Sequence, residues 1–484
     1  MDAPVPLIIL ALLAAAVLVA PGARARGVAT LLALALIPVI LLAHVADTPQ
    51  LDTLRSRPLI AAAAGVIGLL VVAAFAVLVD RRPAVLPVAA VAALPFRVPI
   101  ASGGTTANLL VPLYLVIAAG GLAYAVPRVL GRARRGDEDD ERAGGLEWAL
   151  AVTLVLYAAQ AAYSSDFGHA LEQVVFFYAP FAVLFAVLKR VRFTQRLVAT
   201  CLVVLTGIAL VLAGIGFVEY ATRSLLLNPK VITSNAFESY FRVNSLFFDP
   251  NIYGRFLAVV ALAVTGVLLW STRTRDTVAA AVVLAVLWAA LVITFSQSSF
   301  AALLAGLAVL GGLRFGVRRA LAATAAVAVV GLAVVVLAPG LIRLQLTSDS
   351  SVNNATSGRA NLISGGAGLF ADRPLQGYGS AAFAREYRRA EHVSAQKATS
   401  ASHTIPITVG AEQGVGGLLV YLALLGFGLV RLFRGAGASV PRAVVAAAFT
   451  ALLVHTLLYA AFLEDPLSWA LLGVGTALAP TRRP

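Results

Sequence analysis

The sequence predicts an all-α polytopic membrane protein with about 12–15 transmembrane helices and two long extracytoplasmic loops, the second containing short helices. Of its 484 residues, 60% are hydrophobic and only 12% are charged, whereas soluble proteins are about 45–50% apolar and about 25% charged. The apolar residues come in blocks of the length that crosses a bilayer, about 20 residues each. Backbone polar groups in hydrocarbon must be paired within the span, so these blocks are expected to be helices.

The breaks between the blocks alternate in charge along the whole chain. Every second break is rich in arginine, and the intervening short breaks hold few basic residues. The positive-inside rule places the basic breaks in the cytoplasm. The formal net charge of +14 is therefore interpreted as a topology signal, and no nucleic-acid partner is expected. The basic breaks contain Arg24/Arg26, Arg81/Arg82, Arg128–Arg142, Lys189–Arg196, Arg273/Arg275, Arg314–Arg319, Arg431–Arg442 and Arg482/Arg483.

Parity places two long loops outside the cytoplasm, at residues 219–251 and 339–404. They divide the transmembrane helices into an N-terminal set (1–218), a central set (252–338) and a C-terminal set (405–484). Loops of this length inside a compact fold usually carry function. The sequence thus predicts a multi-pass protein of the cytoplasmic membrane whose active site faces the extracytoplasmic side.

Polar motifs cluster in these loops and at the points where the chain re-enters the bilayer. Arg242 precedes Asp249-Pro250-Asn251, and Ser357-Gly358-Arg359 precedes a stretch expected to form a helix on the membrane surface. The run from Pro374 to Gly379 is predicted to be a turn, because proline restricts φ and glycine permits positive φ. His403 lies where the second loop re-enters the bilayer. Two arginines and a histidine are therefore expected at one membrane–water boundary.

Residues from about Arg242 to Val430 resemble the O-antigen ligase and O-antigen polymerase superfamily. The order and spacing of five pieces carry the resemblance, and 252–484 together with 242–251 form the ligase-like region. The pieces are Arg242 to Asn251, Ser296-Gln297-Ser298-Ser299, Ser357-Gly358-Arg359, Pro374 to Gly379, and Ser402-His403 followed by Glu412-Gln413-Gly414. Two positions depart from the family pattern: Gln297 stands where an arginine is common, and Thr404 where an asparagine often follows the histidine.

The resemblance implies transfer of a glycan from a polyprenyl-pyrophosphate carrier to an acceptor hydroxyl on a lipid- or wall-anchored molecule. It implies that Arg242 and Arg359 bind the pyrophosphate, which an arginine fork matches bidentately. His403 would accept the proton, a role that its ordinary pKa near neutrality suits. No metal and no cofactor is expected. Further candidate substrate contacts are Asn251, Ser296, Gln297, Ser298, Tyr378, Arg388 and Arg389.

Other interpretations stay open at this level. The arginines also suit pairing with lipid phosphates, and His403 an ordinary interfacial position. Arg388 and Arg389 suit a solvated face, and the acidic run Asp137–Glu141, which contains an Asp-x-Asp, is interpreted as a solvated loop. A polymerase that joins lipid-linked repeat units is an alternative to a ligase. A small-anion (bicarbonate-like) transporter is the alternative of another class, although it would need ionisable residues deep in the spans.

Overall fold

The computed structural model describes residues 4–44, 56–96, 98–102, 105–132, 143–226, 241–337, 359–392 and 404–478. Within these ranges, ten helices are long and apolar enough to cross a membrane, and three shorter apolar helices accompany them. The prediction of an all-α polytopic membrane protein is confirmed. The long loops are described only in part: 227–240, 338–358 and 393–403, which includes His403, lie outside the described residues, as does the acidic run 137–141.

The described part of the N-terminal half contains eight helices, and a π-helical turn at Val174–Tyr178 joins the last two. These helices carry apolar side chains on all sides, as expected of helices that face lipid on one side and pack against other helices on the other. They are α1 (Val5–Val19), α2 (Ala23–His44), α3 (Pro58–Arg81), α4 (Val85–Ala93), α5 (Val111–Val129), α6 (Gly145–Ala161), α7 (Phe167–Gln173) and α8 (Ala179–Leu188).

A two-stranded antiparallel hairpin interrupts the helices between α4 and α5. Strand β1 (Val98–Ser102) pairs with β2 (Thr105–Leu109), with Ile100 opposite Ala107. The sequence analysis expected only a short break here. The β-branched residues Val98, Ile100, Thr105 and Thr106 explain the difference, because such side chains favour strands.

The residues described in the C-terminal half form ten helices, of which α14 and α15 are short and lie within the second predicted loop. The first loop is shorter than its predicted bounds, since α9 continues through Glu219. The helices are α9 (Gln195–Thr222), α10 (Pro250–Trp270), α11 (Thr274–Val292), α12 (Gln297–Phe315), α13 (Val317–Leu337), α14 (Arg359–Asp372), α15 (Phe383–Glu391), α16 (Ile405–Phe433), α17 (Val440–Leu458) and α18 (Pro466–Ala477).

Two large hydrophobic clusters form the core of the described helices, and a small third cluster packs α14 and α15 against α16. The larger joins the N-terminal helices to α16 and α18, and its centre is the fully buried α8. The second large cluster joins α9, α10, α11, α12 and α17, and within it α12 packs along α17 while α10 contacts both. Because α17 contributes to both large clusters, the C-terminal helices connect the two halves of the protein.

The two ends of the helix bundle differ in their polar contacts. At one end, Lys189 pairs with Glu147 at 2.9 Å, and Arg128 and Arg190 both lie against the ring of Tyr124. At the other end lie the segment 241–249, the helices α14 and α15, and the connection Tyr459–Asp465. We call this second end the loop face. The first end carries the basic breaks that the positive-inside rule assigns to the cytoplasm.

A buried ion pair on the loop face ties α10 to the Tyr459–Asp465 segment. Arg255 in α10 and Asp465 are 1% and 3% exposed, and their side chains contact each other directly. Arg255 also donates a hydrogen bond to the carbonyl of Ala461 at 3.0 Å, and Asp465 caps α18 by accepting from the amide of Leu467. Two buried charges are tolerated in such a place only when they are paired and hydrogen-bonded.

Removal of one partner of this ion pair is expected to destabilise the protein. Arg255→Met leaves Asp465 buried without its partner, a change that typically costs about 3–5 kcal/mol, so the melting temperature in detergent should fall. Arg255→Met/Asp465→Asn removes both charges and keeps an N-cap side chain, so it should recover part of the loss. Arg275→Met, at an exposed position of α11, is the control. A double variant less stable than the single one would contradict this account.

Candidate functional site

A polar cluster surrounds Arg242 on the loop face. The half-buried Arg242 donates from Nε to the carbonyl of Thr294 at 3.0 Å and from one terminal nitrogen to Oδ1 of Asn251 at 3.1 Å. The same Oδ1 accepts a hydrogen bond from Ser296 at 2.9 Å. The carbonyl of Thr294 and the amide oxygen of Asn251 are uncharged acceptors, and together they orient the guanidinium. We refer to Arg242, Asn251, Ser296, Ser298 and Ser299 as the Arg242 cluster.

Two helix starts build this cluster. Asp249 caps α10, and Pro250 occupies the first turn of the helix, where its missing amide hydrogen has no cost. Ser296 caps α12 by accepting from the amide of Ser299, whose hydroxyl lies 2.8 Å from that of Ser296. Gly254 permits the close packing, because a Cβ there would lie 2.6 Å from the Ser299 hydroxyl. The two capped helix starts therefore place Asn251 and the serines in contact.

A buried carboxylate fixes the chain that leads into the cluster. Glu219, in the last turn of α9, accepts hydrogen bonds from the amides of Asn244 at 3.2 Å and Ser245 at 2.8 Å. Ser245 has a positive φ of 51° and donates its hydroxyl to the carbonyl of Leu212. Residues 242–249 thus have a defined backbone, which sets the position from which the Arg242 side chain extends.

Two residues of the cluster's surroundings were not candidates from sequence. His455, near the end of α17, is fully buried, and its Nε2 lies 3.2 Å from the hydroxyl of Ser298. Tyr459 lies edge-on to the His455 ring at 5.5 Å and is hydrogen-bonded to the carboxylate of Asp249. Burial, and next the negative charge of Asp249, raise the pKa of Tyr459 well above its ordinary value. The contacts of His455 with Ser298 and of Tyr459 with Asp249 join residues more than 150 positions apart, so no local pattern indicates them.

The second loop docks onto a break in α16. Gly414 has a non-helical backbone with φ of 67°, and the amide of Val415 donates to the carbonyl of Pro374 at 2.7 Å. In return, the carbonyls of Ala411 and Glu412 accept from the amides of Tyr378 at 3.1 Å and Gly379 at 2.8 Å. The hydrogen bonds that the helix loses are therefore replaced by bonds to the loop, as burial requires.

The predicted turn at Pro374–Gly379 is confirmed. Gly377 and Gly379 have φ values of 65° and 95°, and only glycine adopts such backbone without strain. The motifs Pro374–Gly379 and Glu412–Gly414, separate in sequence, are thus the two sides of one contact. The Glu412 carboxylate completes it by accepting from the amides of Ala381 and Phe383 at 2.9 and 3.1 Å, at the start of α15.

Three candidate substrate contacts belong to this docked loop rather than to the Arg242 cluster. Tyr378 lies beneath the guanidinium of Arg373, at 4.4 Å from the ring centre. Arg388 donates to the carbonyl of Ala384 within its own helix, and the exposed Arg389 pairs with Glu386 at 3.0 Å. No contact described here joins these residues to Arg242, and their role as substrate contacts stays a prediction.

The structure describes the remaining candidates, Gln297, Arg359 and His403, to different extents. Gln297 is exposed at the start of α12, beside the buried Ser296 and Ser298. Arg359 is the first residue of α14, but its side chain is outside what the structure describes. His403 lies outside the described residues, one position before Thr404, whose hydroxyl donates to the carbonyl of Leu457 at 3.0 Å. Among the described residues no group of three or more His, Cys, Asp or Glu side chains is placed to hold a metal.

Part of the chain matches a known protein family. Residues 280–422 match the family described as O-antigen ligase, which confirms the resemblance inferred from the motifs. The matched residues include Ser296–Ser299, Arg359, the docked turn and His403, whereas Arg242 and Asn251 precede them. No curated protein matches the chain. The match supports a membrane enzyme that acts on glycans in the manner of O-antigen ligases and polymerases.

The docking of the loop onto α16 can be tested at its glycines. A Cβ at Gly377 would lie 2.2 Å from the Glu412 carbonyl oxygen, so Gly377→Ala combines a clash with unfavourable backbone strain of about 1–3 kcal/mol. The melting temperature of the purified protein should fall. Gly368→Ala, where a Cβ meets nothing within 4 Å in the helix α14, should leave it unchanged or raise it slightly. Equal melting temperatures for the two variants would contradict the docked arrangement.

Proposed function

We propose that this O-antigen ligase-like chain is a metal-independent glycosyltransferase that moves a glycan from a polyprenyl-pyrophosphate donor to an acceptor hydroxyl on the outer face of the cytoplasmic membrane. The observation that carries the proposal is the oriented guanidinium of Arg242. It is held at the loop face by Asn251 and the carbonyl of Thr294. The adjoining Ser296–Ser299 stretch lies within the residues that match the ligase family.

The reaction is a single displacement at the anomeric carbon of the donor sugar. The acceptor oxygen forms the new glycosidic bond while the bond from the anomeric carbon to the pyrophosphate oxygen breaks. The electron pair of the broken bond stays on the lipid pyrophosphate, whose charge increases. The proton of the acceptor hydroxyl passes to His403, which acts as the general base.

Arg242 suits the leaving group because its fork of N–H donors matches phosphate oxygens bidentately. A hydrogen bond to a charged group contributes about 1.5–3 kcal/mol. Such bonds strengthen as charge develops on the pyrophosphate, so they favour the transition state over the ground state. Asn251 acts as a positioning residue, because its Oδ1 accepts a hydrogen bond from the Arg242 guanidinium. The hydroxyl of Ser296 donates to the same oxygen and so holds it in place.

Arg359 and His403 complete the proposed site from the second loop. Arg359 begins α14, and the N-terminus of a helix favours anions through its unpaired amides and its dipole. Thr404, the residue after His403, is hydrogen-bonded to the carbonyl of Leu457 near the end of α17. At that same end His455 contacts Ser298 of the Arg242 cluster. This connectivity supports a base close to the pyrophosphate site.

Arg242→Lys is expected to abolish transfer although it keeps the positive charge. Lysine lacks the planar fork, so it cannot bind Thr294 and Asn251 while it also contacts the phosphates. The loss should be about 100-fold or more in kcat with unchanged expression, an effect of the size seen when a transition-state donor is removed. Arg275→Lys, far from the loop face, is the matched control. Near-normal turnover by Arg242→Lys would refute the bidentate role.

His403→Ala and Arg359→Ala are each expected to abolish transfer and leave membrane insertion intact, because both positions lie outside the described spans. A general base contributes typically about 10²–10⁴-fold. The measurement is surface-glycan assembly in a strain that lacks the native protein. Full assembly by the His403→Ala variant would exclude this histidine as the base.

The length of the lipid-linked glycans that accumulate without this protein distinguishes a ligase from a polymerase. We expect long polymers on the carrier, because a missing ligase leaves finished chains without transfer. Single repeat units would instead identify a polymerase. An unchanged lipid-linked pool would exclude both and leave transport as the function to test.

A further inference from the structure

A second polar compartment lies on the loop face, beside the Arg242 cluster. It is a cavity of about 230 Å³ between α6, α7, the π-helical turn Val174–Tyr178, α16 and the Tyr459–Asp465 segment. Its lining includes the carboxyl groups of Glu412 and Glu464, the imidazole of His169, the amide of Gln173 and the rings of Tyr157 and Tyr178. The volume is below the range of about 300–1,000 Å³ that is typical of ligand pockets, so a group the size of one sugar suits it better than a polymer.

The Tyr459–Asp465 segment separates this cavity from the Arg242 cluster. On one side, Ala461 and Glu464 line the cavity. On the other, Tyr459 is hydrogen-bonded to Asp249, and Asp465 pairs with Arg255. Ile405 also lines the cavity, and it follows directly on Thr404, so the cavity wall begins two residues after the proposed base.

The two compartments have opposite electrostatic character. The described lining residues of the cavity contain two carboxyl groups and no lysine or arginine. Its imidazole, His169, lies 3.6 Å from the carboxylate of Glu172. An anion buried without a cationic partner is costly, and these lining residues offer no guanidinium or ammonium group to pair with it, so a pyrophosphate is disfavoured in the cavity and favoured at Arg242. The donor and the acceptor would thus be sorted by charge.

The polar atoms of the cavity suit hydroxyl and amino groups. The Tyr178 hydroxyl donates to Glu464 at 3.2 Å, and Oε1 of Gln173 is buried and accepts no hydrogen bond among the described residues. Tyr157 and Tyr178 pack edge-on at 4.7 Å and present apolar ring surface beside these acceptors. Burial raises the pKa of the Glu464 carboxyl, and a neighbouring ammonium group would restore its charge through an ion pair.

We propose that this cavity binds a sugar of the acceptor, that it accepts a neutral or amine-bearing sugar, and that it excludes one carrying a carboxylate or phosphate. This inference rests on the proposed function, because it assigns the acceptor side of the same reaction. Glu464 is the specificity-determining residue in this proposal, and Gln173 is the second polar contact.

The test is binding of three defined probes to the purified protein, measured by saturation-transfer difference NMR. The probes are methyl β-glucosaminide, methyl β-glucoside and methyl β-glucuronide. We expect the wild type to bind the glucosaminide more tightly than the glucoside, because its ammonium group pairs with Glu464. The glucuronide should bind at least about tenfold more weakly than the glucoside, the factor that corresponds to losing one charge-assisted hydrogen bond. Glu464→Gln keeps an acceptor for Tyr178 and should abolish the preference for the amine.

Glu391→Gln is the matched control, since Glu391 is an exposed carboxylate at the end of α15, outside the cavity lining. It should leave all three affinities unchanged. Gln173→Ala provides a second variant should Glu464→Gln fail to fold, and it should weaken binding of both the glucoside and the glucosaminide. Equal binding of the glucuronide by the wild type, or an unchanged preference in Glu464→Gln, would overturn the proposal.

The binding readout is independent of transfer. A protein that transfers glycans but shows no probe binding would refute the acceptor pocket alone. Conversely, the probes could bind with the expected preference while deletion of the protein leaves the lipid-linked glycan pool unchanged. That result would refute the proposed transfer alone.

Discussion

The absence of water from the hydrocarbon layer constrains this protein more than any other factor. A backbone amide or a charge left without a partner there costs several kcal/mol, so each irregularity must be satisfied by another part of the chain. The break of α16 at Gly414 illustrates this constraint. Its displaced carbonyls and amide pair with Pro374, Tyr378 and Gly379 of the second loop, so the loop is held where the helix is interrupted.

The same constraint accounts for the polar clusters of the loop face. Arg255 and Asp465 are buried as a pair, and the carboxylates of Glu219 and Glu412 are each held by two or more backbone amides. These contacts fix the three segments from which the candidate site is built: residues 241–249, the docked loop and Tyr459–Asp465. Structural charges and proposed functional charges are therefore neighbours on the loop face.

The arrangement also suggests how one membrane surface handles two substrates of different charge. Arg242 lies on one side of the Tyr459–Asp465 segment, and the carboxyl groups of Glu412 and Glu464 lie on the other. Electrostatic complementarity contributes specificity more readily than affinity. In the proposed reaction, a short segment anchored by Arg255 and Tyr459 would keep an anionic donor group apart from a hydroxyl- or amine-bearing acceptor.

The sequence by itself determined the fold class, the alternation of basic breaks and the glycine turn at Pro374–Gly379, because hydropathy, charge and permitted φ are properties of local residues. It also identified Arg242, Asn251, Ser296 and Ser298 as candidates, and the structure brings these four together. The contacts of His455 with Ser298, of Tyr459 with Asp249 and of Arg255 with Asp465 were decided only by the tertiary structure. Each joins helices far apart in the chain, and pairing across such distances depends on how the helices pack rather than on any spacing in the sequence.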